Sequence, residues 1–395
     1  MNKKYVIIGA GIAGLSAAKA IREIDTQGTI DIFTAENNLP YSRPMLTKSP
    51  FISFDPKDWT LYTEDWFESN NINFHMAEKV QTIDADSKTI TTSKGSYPYT
   101  KLILATGAES FVPPIPGSDK ENIFTIRRSE DITNIKKAYK ASTNVVVIGG
   151  GVIGLEAAVE LARYGSTVTV LEALPYLMTK QIDEEISQRI CNELTDIDIH
   201  TNASIQSIDG GLACEKVTLA DGRSFPCDFV VMACGVKAET SIVDPDKVQL
   251  GRAITIDQHC KTTDSDIYAA GDCAQYNGVN YALWSQAIEQ GPTAGKNAAG
   301  DLAIQQNFDT SLVMNSPELS LFALGDLGKD SSKKYEVKYL SSKDEQNSFF
   351  VNPVQGQFFE KQYWVDDKLV GAAIIGNLSR MNQLKDKING VEETV

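Results

Sequence analysis

Positive charge is scarce in this 395-residue chain: 37 Lys and Arg stand against 52 Asp and Glu, a formal net charge of −15. Nucleic-acid binding and docking on an anionic membrane both reward clustered cations, so neither partner is expected. Long apolar runs are also lacking. The longest, such as Val145–Ile148 and Phe229–Ala233, fall far short of the roughly 20 residues of a membrane-spanning helix. The opening MNKKYVIIGAGIAG joins a basic end to an apolar run, but glycines interrupt the run and no small-residue cleavage site follows. It reads as a buried strand entering a loop rather than a signal peptide, and a soluble, cytoplasmic protein is expected. Histidine is limited to His75, His200 and His259, and the six cysteines form no C-x-x-C and no zinc-like spacing. No metal is therefore expected. Residues 37–70 hold no cysteine at all.

What is present suffices for folded cores, with 42% hydrophobic and 23% charged residues, and the length suggests two or three domains. Two segments repeat one plan. The first runs from a strand at Lys4–Ile8 through Gly9-Ala10-Gly11-Ile12-Ala13-Gly14 into an Ala-rich helix, then a strand ending at Glu36. The second runs from Asn144–Ile148 through Gly149-Gly150-Gly151-Val152-Ile153-Gly154 into a helix, then a strand ending at Glu172. Glu36 and Glu172 follow the first glycine of each run by 27 and 23 positions, where a βαβ unit places the tip of its second strand. Alternating strands follow in each half, over residues 74–106 and 198–235, closing on Thr106-Gly107 and Cys234-Gly235. One G-x-G-x-x-G is a weak signal; two, each between an apolar strand and a small-residue helix with an acid at the expected distance, predict two bound dinucleotides. A carboxylate at Glu172 would repel a 2′-phosphate, and no Arg follows it closely, so the second site is expected to take NADH over NADPH. From about residue 310 the character changes to strand-like stretches (319–324, 335–340, 347–351, 357–365, 369–376) and a polar helix near 378–389. The predicted fold is thus α/β: two tandem Rossmann-like dinucleotide-binding domains, each with a β-meander, and a small C-terminal α+β domain.

Further motifs are Tyr41-Ser42-Arg43-Pro44-Met45-Leu46, Ala105-Thr106-Gly107, Thr125-Ile126-Arg127 and Tyr268-Ala269-Ala270-Gly271-Asp272. With the two fingerprints, they resemble the pyridine-nucleotide-dependent flavoprotein reductases of the glutathione-reductase fold. More narrowly, the chain is similar to rubredoxin and ferredoxin reductases and to the flavin module of NADH-dependent nitrite reductases. The resemblance implies an FAD domain in two pieces (1–108 and 236–309), an inserted NADH domain (109–235), a C-terminal domain (310–389) and a frayed tail (390–395). It implies FAD along Gly9, Gly11, Ala13, Gly14 and Glu36, with Thr106, Gly107, Gly271 and Asp272 at its ribityl side and Arg43 and Arg127 as pyrophosphate or flavin-edge ligands. NADH would lie along Gly149, Gly151, Ile153, Gly154, Glu172 and Gly235. Lys48 would stand beside the flavin N5, paired with Glu156, as the catalytic pair. Trp284 would lie close to the flavin ring, where a partner docks. On residue type alone, Asp272 also reads as an Asx-turn residue, Lys48 as a solvated loop lysine and Trp284 as core material.

Against that family background the empty stretch 37–70 is informative. Related oxidases, peroxidases and disulfide reductases place a redox cysteine there or in an adjacent helix, because a thiolate must stand next to the flavin to relay electrons. Cys234 and Cys273 fall on cofactor-binding turns instead. The expected activity is therefore transfer of hydride from NADH to FAD, then of single electrons to the iron centre of rubredoxin. A ferredoxin reductase, a nitrite-reductase-like flavin component and an NADH-responsive sensor are the alternatives. A monomer is expected rather than a dimer. Rubredoxins are usually acidic, so a local basic surface is required, and Lys329, Lys333, Lys334, Lys338 and Lys343 are the dense candidate.

Overall fold

Near-continuous Val, Ile and Leu in Lys4–Ile8, Lys101–Leu104, Asn144–Ile148 and Phe229–Met232 suit strands covered on both faces, the condition of a parallel sheet in an α/β unit. The computed structural model, which describes residues 3–49, 51–140, 143–342 and 357–390, contains two such sheets. The first has the order Ile267–Ala269, Lys101–Leu104, Lys4–Ile8, Thr29–Phe33, Ile72–His75, all parallel. The second has the order Ile123–Thr125, Phe229–Met232, Asn144–Ile148, Thr167–Leu171, Ile197–His200, again all parallel. The two orders are equivalent strand for strand. Only the source of the first edge strand differs: downstream of the second unit in one case, upstream of it in the other.

Each unit carries a three-stranded antiparallel meander, Val80–Asp84, Thr89–Thr92 and Ser96–Pro98 in the first, Ile205–Asp209, Lys216–Leu219 and Ser224–Pro226 in the second. The meanders are shorter than the sequence suggests, because residues 72–75 and 197–200 extend the parallel sheets. Ala108–Ser110 and Val236–Ala238 pair antiparallel, so the chain leaves the first unit and returns to it at one point.

The helix Ile12–Ile24 packs along Trp284–Ala299, where a Cβ on Gly291 would lie 2.4 Å from the Ala13 carbonyl oxygen and one on Gly295 2.3 Å from that of Ala17. That second helix is shorter than the expected span from about 281 to 302. Ala282 takes a positive φ of 50° in the loop before it, and Gly300, at φ 103°, closes its C-terminus. The C-terminal sheet is antiparallel, in the order Leu312–Asn315, Ser320–Gly325, Lys368–Gly376, Phe358–Val365, Glu336–Ser341. The helix Met381–Asn389 covers one face of it, and the other face shares an apolar core with the second unit, through Met314, Leu321 and Ile375. The expected strand at 347–351 and residues 391–395 of the tail lie outside the described residues. Among the described residues no helix is long and apolar enough to cross a membrane.

Candidate functional site

Each glycine fingerprint divides into crowded and open positions. A Cβ on Gly9 would sit 2.0 Å from the Ala105 carbonyl oxygen, and one on Gly149 2.5 Å from that of Ala233. Gly14 and Gly154 lie against the carbonyl oxygens of Gly9 and Gly149, at 2.1 and 2.0 Å. These four are required by packing. The middle glycines differ: a Cβ on Gly11 or Gly151 would meet nothing within 4 Å. Both are N-caps of their helices, Ile12–Ile24 and Val152–Arg163, and neither helix has a side-chain cap. Open space facing uncapped helix amides is the donor set a pyrophosphate needs, so both loops fit a dinucleotide.

The first loop borders a cavity of about 360 Å³ at the C-terminal ends of the first sheet's strands. Every predicted FAD residue except Gly14 lines it: Gly9, Gly11, Ala13, Glu36, Arg43, Lys48, Thr106, Gly107, Arg127, Gly271, Asp272 and Trp284. Gly14 lies beneath it as packing. Gly271, at φ 80°, holds a turn whose Cβ would crowd Ala13 at 3.0 Å. The helix of the second unit reaches the same cavity through Ile153 and Glu156. Gly149, Gly151, Gly154, Glu172 and Gly235 are not on its wall; they gather at the second sheet's strand ends.

The polar wall is tied together. Glu36 ion-pairs with Arg43 and accepts from Tyr41 Oη at 2.8 Å. Tyr41 Oη in turn accepts from the Ser129 N–H at 2.8 Å, and burial pushes its phenol up to about 12. Arg43 also donates to the Arg127 carbonyl at 2.8 Å, and Arg127 donates to Asp272 Oδ2 at 2.7 Å. The two expected pyrophosphate arginines therefore hold carboxylates of the site. Glu172 is held differently: Oε2 accepts from the Gly150 N–H at 2.6 Å and Oε1 from the Leu174 N–H at 2.8 Å.

One expected contact is not formed. Lys48 does not ion-pair with Glu156; its exposed Nζ reaches the Val313 carbonyl at 3.4 Å. Glu156 accepts instead from Thr47 Oγ1, and its other oxygen is buried without a partner. The reason is depth: Glu156 is 6% exposed inside the helix packing, whereas Lys48 lies at the surface end of the short helix Met45–Lys48. Burial pushes the Glu156 carboxyl up, opposed by the Thr47 hydrogen bond and the Lys48 charge. Thr47 and Val313 were not legible as site residues, because each acts through a tertiary contact and belongs to no motif; Tyr41 opens a motif, but its ties to Glu36 and Ser129 are tertiary.

The cysteines stand apart from this wall. Among the described residues none of the six lines the cavity. Burial pushes the Cys234 thiol up to about 11, and Cys273, fully enclosed, donates to the Leu104 carbonyl at 3.2 Å. The histidines are also engaged, His75 with Asp31, His200 with Asp198 and His259 with the Ala303 carbonyl. No cluster of metal-ligating side chains occurs among the described residues.

Two lysines of the cluster are paired with carboxylates. Lys333 pairs with Asp326 and Asp330 at 2.8 and 3.4 Å, and Lys338 with Glu336 at 3.3 Å. Lys329 donates to the Thr179 carbonyl at 2.5 Å, and Lys343 lies outside the described residues. Among the described lysines of the cluster only Lys334 is left without such a partner, so the expected free basic surface is reduced.

The chain is 32% identical over 388 residues to a nitrite reductase [NAD(P)H] of Bacillus subtilis, covering 97% of this chain and 47% of that protein. It thus spans about half the length of that relative. To a nitric oxide reductase FlRd-NAD(+) reductase of Vibrio vulnificus it is 31% identical, covering 84% of this chain and 87% of the relative. Two solved structures are each 26% identical. The ferredoxin reductase for the CYP199A2 system of Rhodopseudomonas palustris has a TM-score of 0.83 over 95% of this chain and 91% of its own. The NADH:rubredoxin oxidoreductase of Clostridium acetobutylicum has 0.79 over 99% and 96%. The family model for pyridine nucleotide-disulphide oxidoreductase matches residues 3–291. The chain belongs to the pyridine nucleotide-disulphide oxidoreductase family, flavoproteins that bind FAD and NAD(H).

Proposed function

We propose that the protein is an NADH-dependent flavoprotein reductase that passes electrons singly to a small iron–sulfur carrier of the rubredoxin type. The observation that carries this reading is the cavity wall: both dinucleotide units contribute to it, and no thiol does. When bound, FAD supplies the conversion between a two-electron donor and a one-electron acceptor. The chain's own residues supply position and charge. Gly11 and Gly151 leave room for the two pyrophosphates, and Glu36 and Glu172 present carboxylates to ribose hydroxyls. The Lys48 cation faces the cavity where negative charge develops on reduction. Trp284, half-buried at the N-terminus of its helix, lines the cavity. Residues 1–108 with 236–309 would hold FAD and 109–235 NADH, a division supported by the exchange point at Ala108–Ser110 and Val236–Ala238.

The likeness to a nitrite reductase over 97% of the chain favours one second reading, a flavin component that feeds another redox centre. Anaerobic stopped-flow measurement separates the two. Rapid bleaching of bound FAD by NADH, then steady turnover with purified rubredoxin and slower turnover with ferredoxin, is expected. Bleaching without turnover on either carrier would remove the rubredoxin reading.

A further inference from the structure

Glu156 and Glu160 lie one turn apart on the helix Val152–Arg163 and are only 6% and 8% exposed. Each has its Oε1 enclosed without a hydrogen bond, and so does the Ser49 hydroxyl, in a residue 4% exposed. The segment carrying Ser49 runs beside this helix. Thr47 donates to Glu156, and the Phe51 backbone N–H approaches Glu160. At one end Glu156 faces the cavity. At the other, Glu160 lies 3.8 Å from the half-exposed Arg163, which in turn faces Glu318 at 3.8 Å. Buried oxygens lacking partners therefore lie at both ends of this contact, Glu156 at the cavity and Glu160 toward solvent, with Ser49 on the facing segment.

The fold does not call for these acids. At the corresponding positions after the first fingerprint stand Ser16 and Ala20, on a helix that packs without any buried carboxylate. Burial pushes both carboxyls up. Thr47 and Lys48 oppose this at Glu156; Arg163 and the Phe51 N–H oppose it at Glu160, while Glu318 adds to it. A carboxyl left partly unsatisfied in a packed helix costs stability, and Glu160 does not line the cavity.

We propose that Glu156, Ser49 and Glu160 form a proton path between the cavity and the surface at Arg163. The proposal rests on the proposed function. Oxidation of one NADH by two one-electron acceptors breaks the C4–H bond, sends its two electrons to the acceptors and leaves one proton for water. Glu156 accepts that proton at the cavity. The Ser49 hydroxyl carries it across the turn, about 5–6 Å along the axis, with the ordered water that such buried oxygens bind. Glu160 releases it beside Arg163.

The test is single-turnover oxidation of NADH by the FAD-loaded protein with ferricyanide, so that the natural carrier is not involved. A pH indicator reports proton release. Glu160→Gln is expected to retain stoichiometric FAD while proton release lags behind ferricyanide reduction by at least about tenfold. Formate is expected to restore the rate in Glu160→Ala, which a structural role would not produce. Independently of turnover, infrared difference spectra between low and high pH should show carboxyl bands that persist above the ordinary glutamate range and that Glu156→Gln and Glu160→Gln each diminish. Proton release in Glu160→Gln that keeps pace with electron transfer, or absence of those bands, overturns the path and leaves the proposed function standing. Failure of NADH to reduce the FAD at all overturns both.

Discussion

The two dinucleotide units have the same strand order and the same crowded and open glycines, yet their helices are packed in opposite ways. Ile12–Ile24 meets Trp284–Ala299 through small residues, with carbonyl oxygens pressed against glycine Cα atoms. Val152–Arg163 meets Thr47 and Phe51, with two carboxyls left partly unsatisfied. Their strand-tip acids differ as well: Glu36 is held by side chains from outside its unit's fingerprint, Glu172 by amides of its own loop and turn. A duplicated frame thus shows which features the fold demands, since they recur. Those that occur once need another explanation, and the buried acids are the clearest case.

The largest effect should separate the glycines. Gly14→Ala and Gly154→Ala force a Cβ onto a backbone oxygen and should destabilise their units by about 3 kcal/mol in denaturant melts. Gly11→Ala and Gly151→Ala should change stability by about 1 kcal/mol or less, while lowering FAD content and NADH affinity respectively. Full cofactor retention in both would break the assignment of the open positions.

Next is the join between the second unit and the C-terminal sheet. Lys361 is buried between Asp183 and Glu185, at 2.5 and 2.8 Å. Lys361→Met leaves two acids facing apolar surface and should cost about 2–3 kcal/mol by calorimetry, at the lower end of the range for buried pairs because both acids are partly exposed. Burial opposes ionisation of Asp183, but the Lys361 and Tyr363 hydrogen bonds hold its carboxyl below the ordinary range. The stabilisation is therefore present above the unfolded aspartate range and is lost as pH falls through the lowered value. The variant should flatten the acid limb of the stability profile; an unchanged limb would count against the lock.

A smaller effect of opposite sign is expected from Glu156→Ser with Glu160→Ala, which gives the second helix the residues of the first. Both carboxyls are raised in the fold, so their contribution is fully favourable only below the unfolded glutamate range and is lost as pH rises through the raised values. The double variant should be more stable than the wild type at pH 8 by about 1 kcal/mol, with the gain shrinking toward pH 4. Thermal melts at both pH values decide it, and a loss of stability at pH 8 would show that the acids serve the fold.

The smallest effect belongs to the lysines. Since Lys333 is already paired, Lys333→Glu with Lys334→Glu should raise the KM for rubredoxin by only about threefold at low salt, with NADH-to-dye turnover unaltered. A tenfold rise would restore that face as the docking surface.

Much of the frame was legible because it is local. The fingerprint glycines and the strand-tip acids are read from spacing, and the absent cysteine gains its meaning from the family resemblance. What escaped was tertiary. Thr47, rather than Lys48, meets Glu156, because a helix of four residues places neighbours at different depths. Glu160 could have been noticed as a second acid at i+4 on a helix whose residues Gly154–Leu161 are all buried. The lysine cluster looked basic in sequence because Asp326, its main neutralising partner, precedes the run and is folded back onto it.

In the proposed function, electrons pass from NADH to a one-electron carrier without a thiol. The direct measurement is anaerobic turnover of the FAD-loaded protein with NADH and rubredoxin, before and after exhaustive alkylation of accessible thiols. Two rubredoxins reduced per NADH, at the same rate in both preparations, is the predicted result. Loss of rubredoxin reduction on alkylation, with FAD still bound, would contradict it.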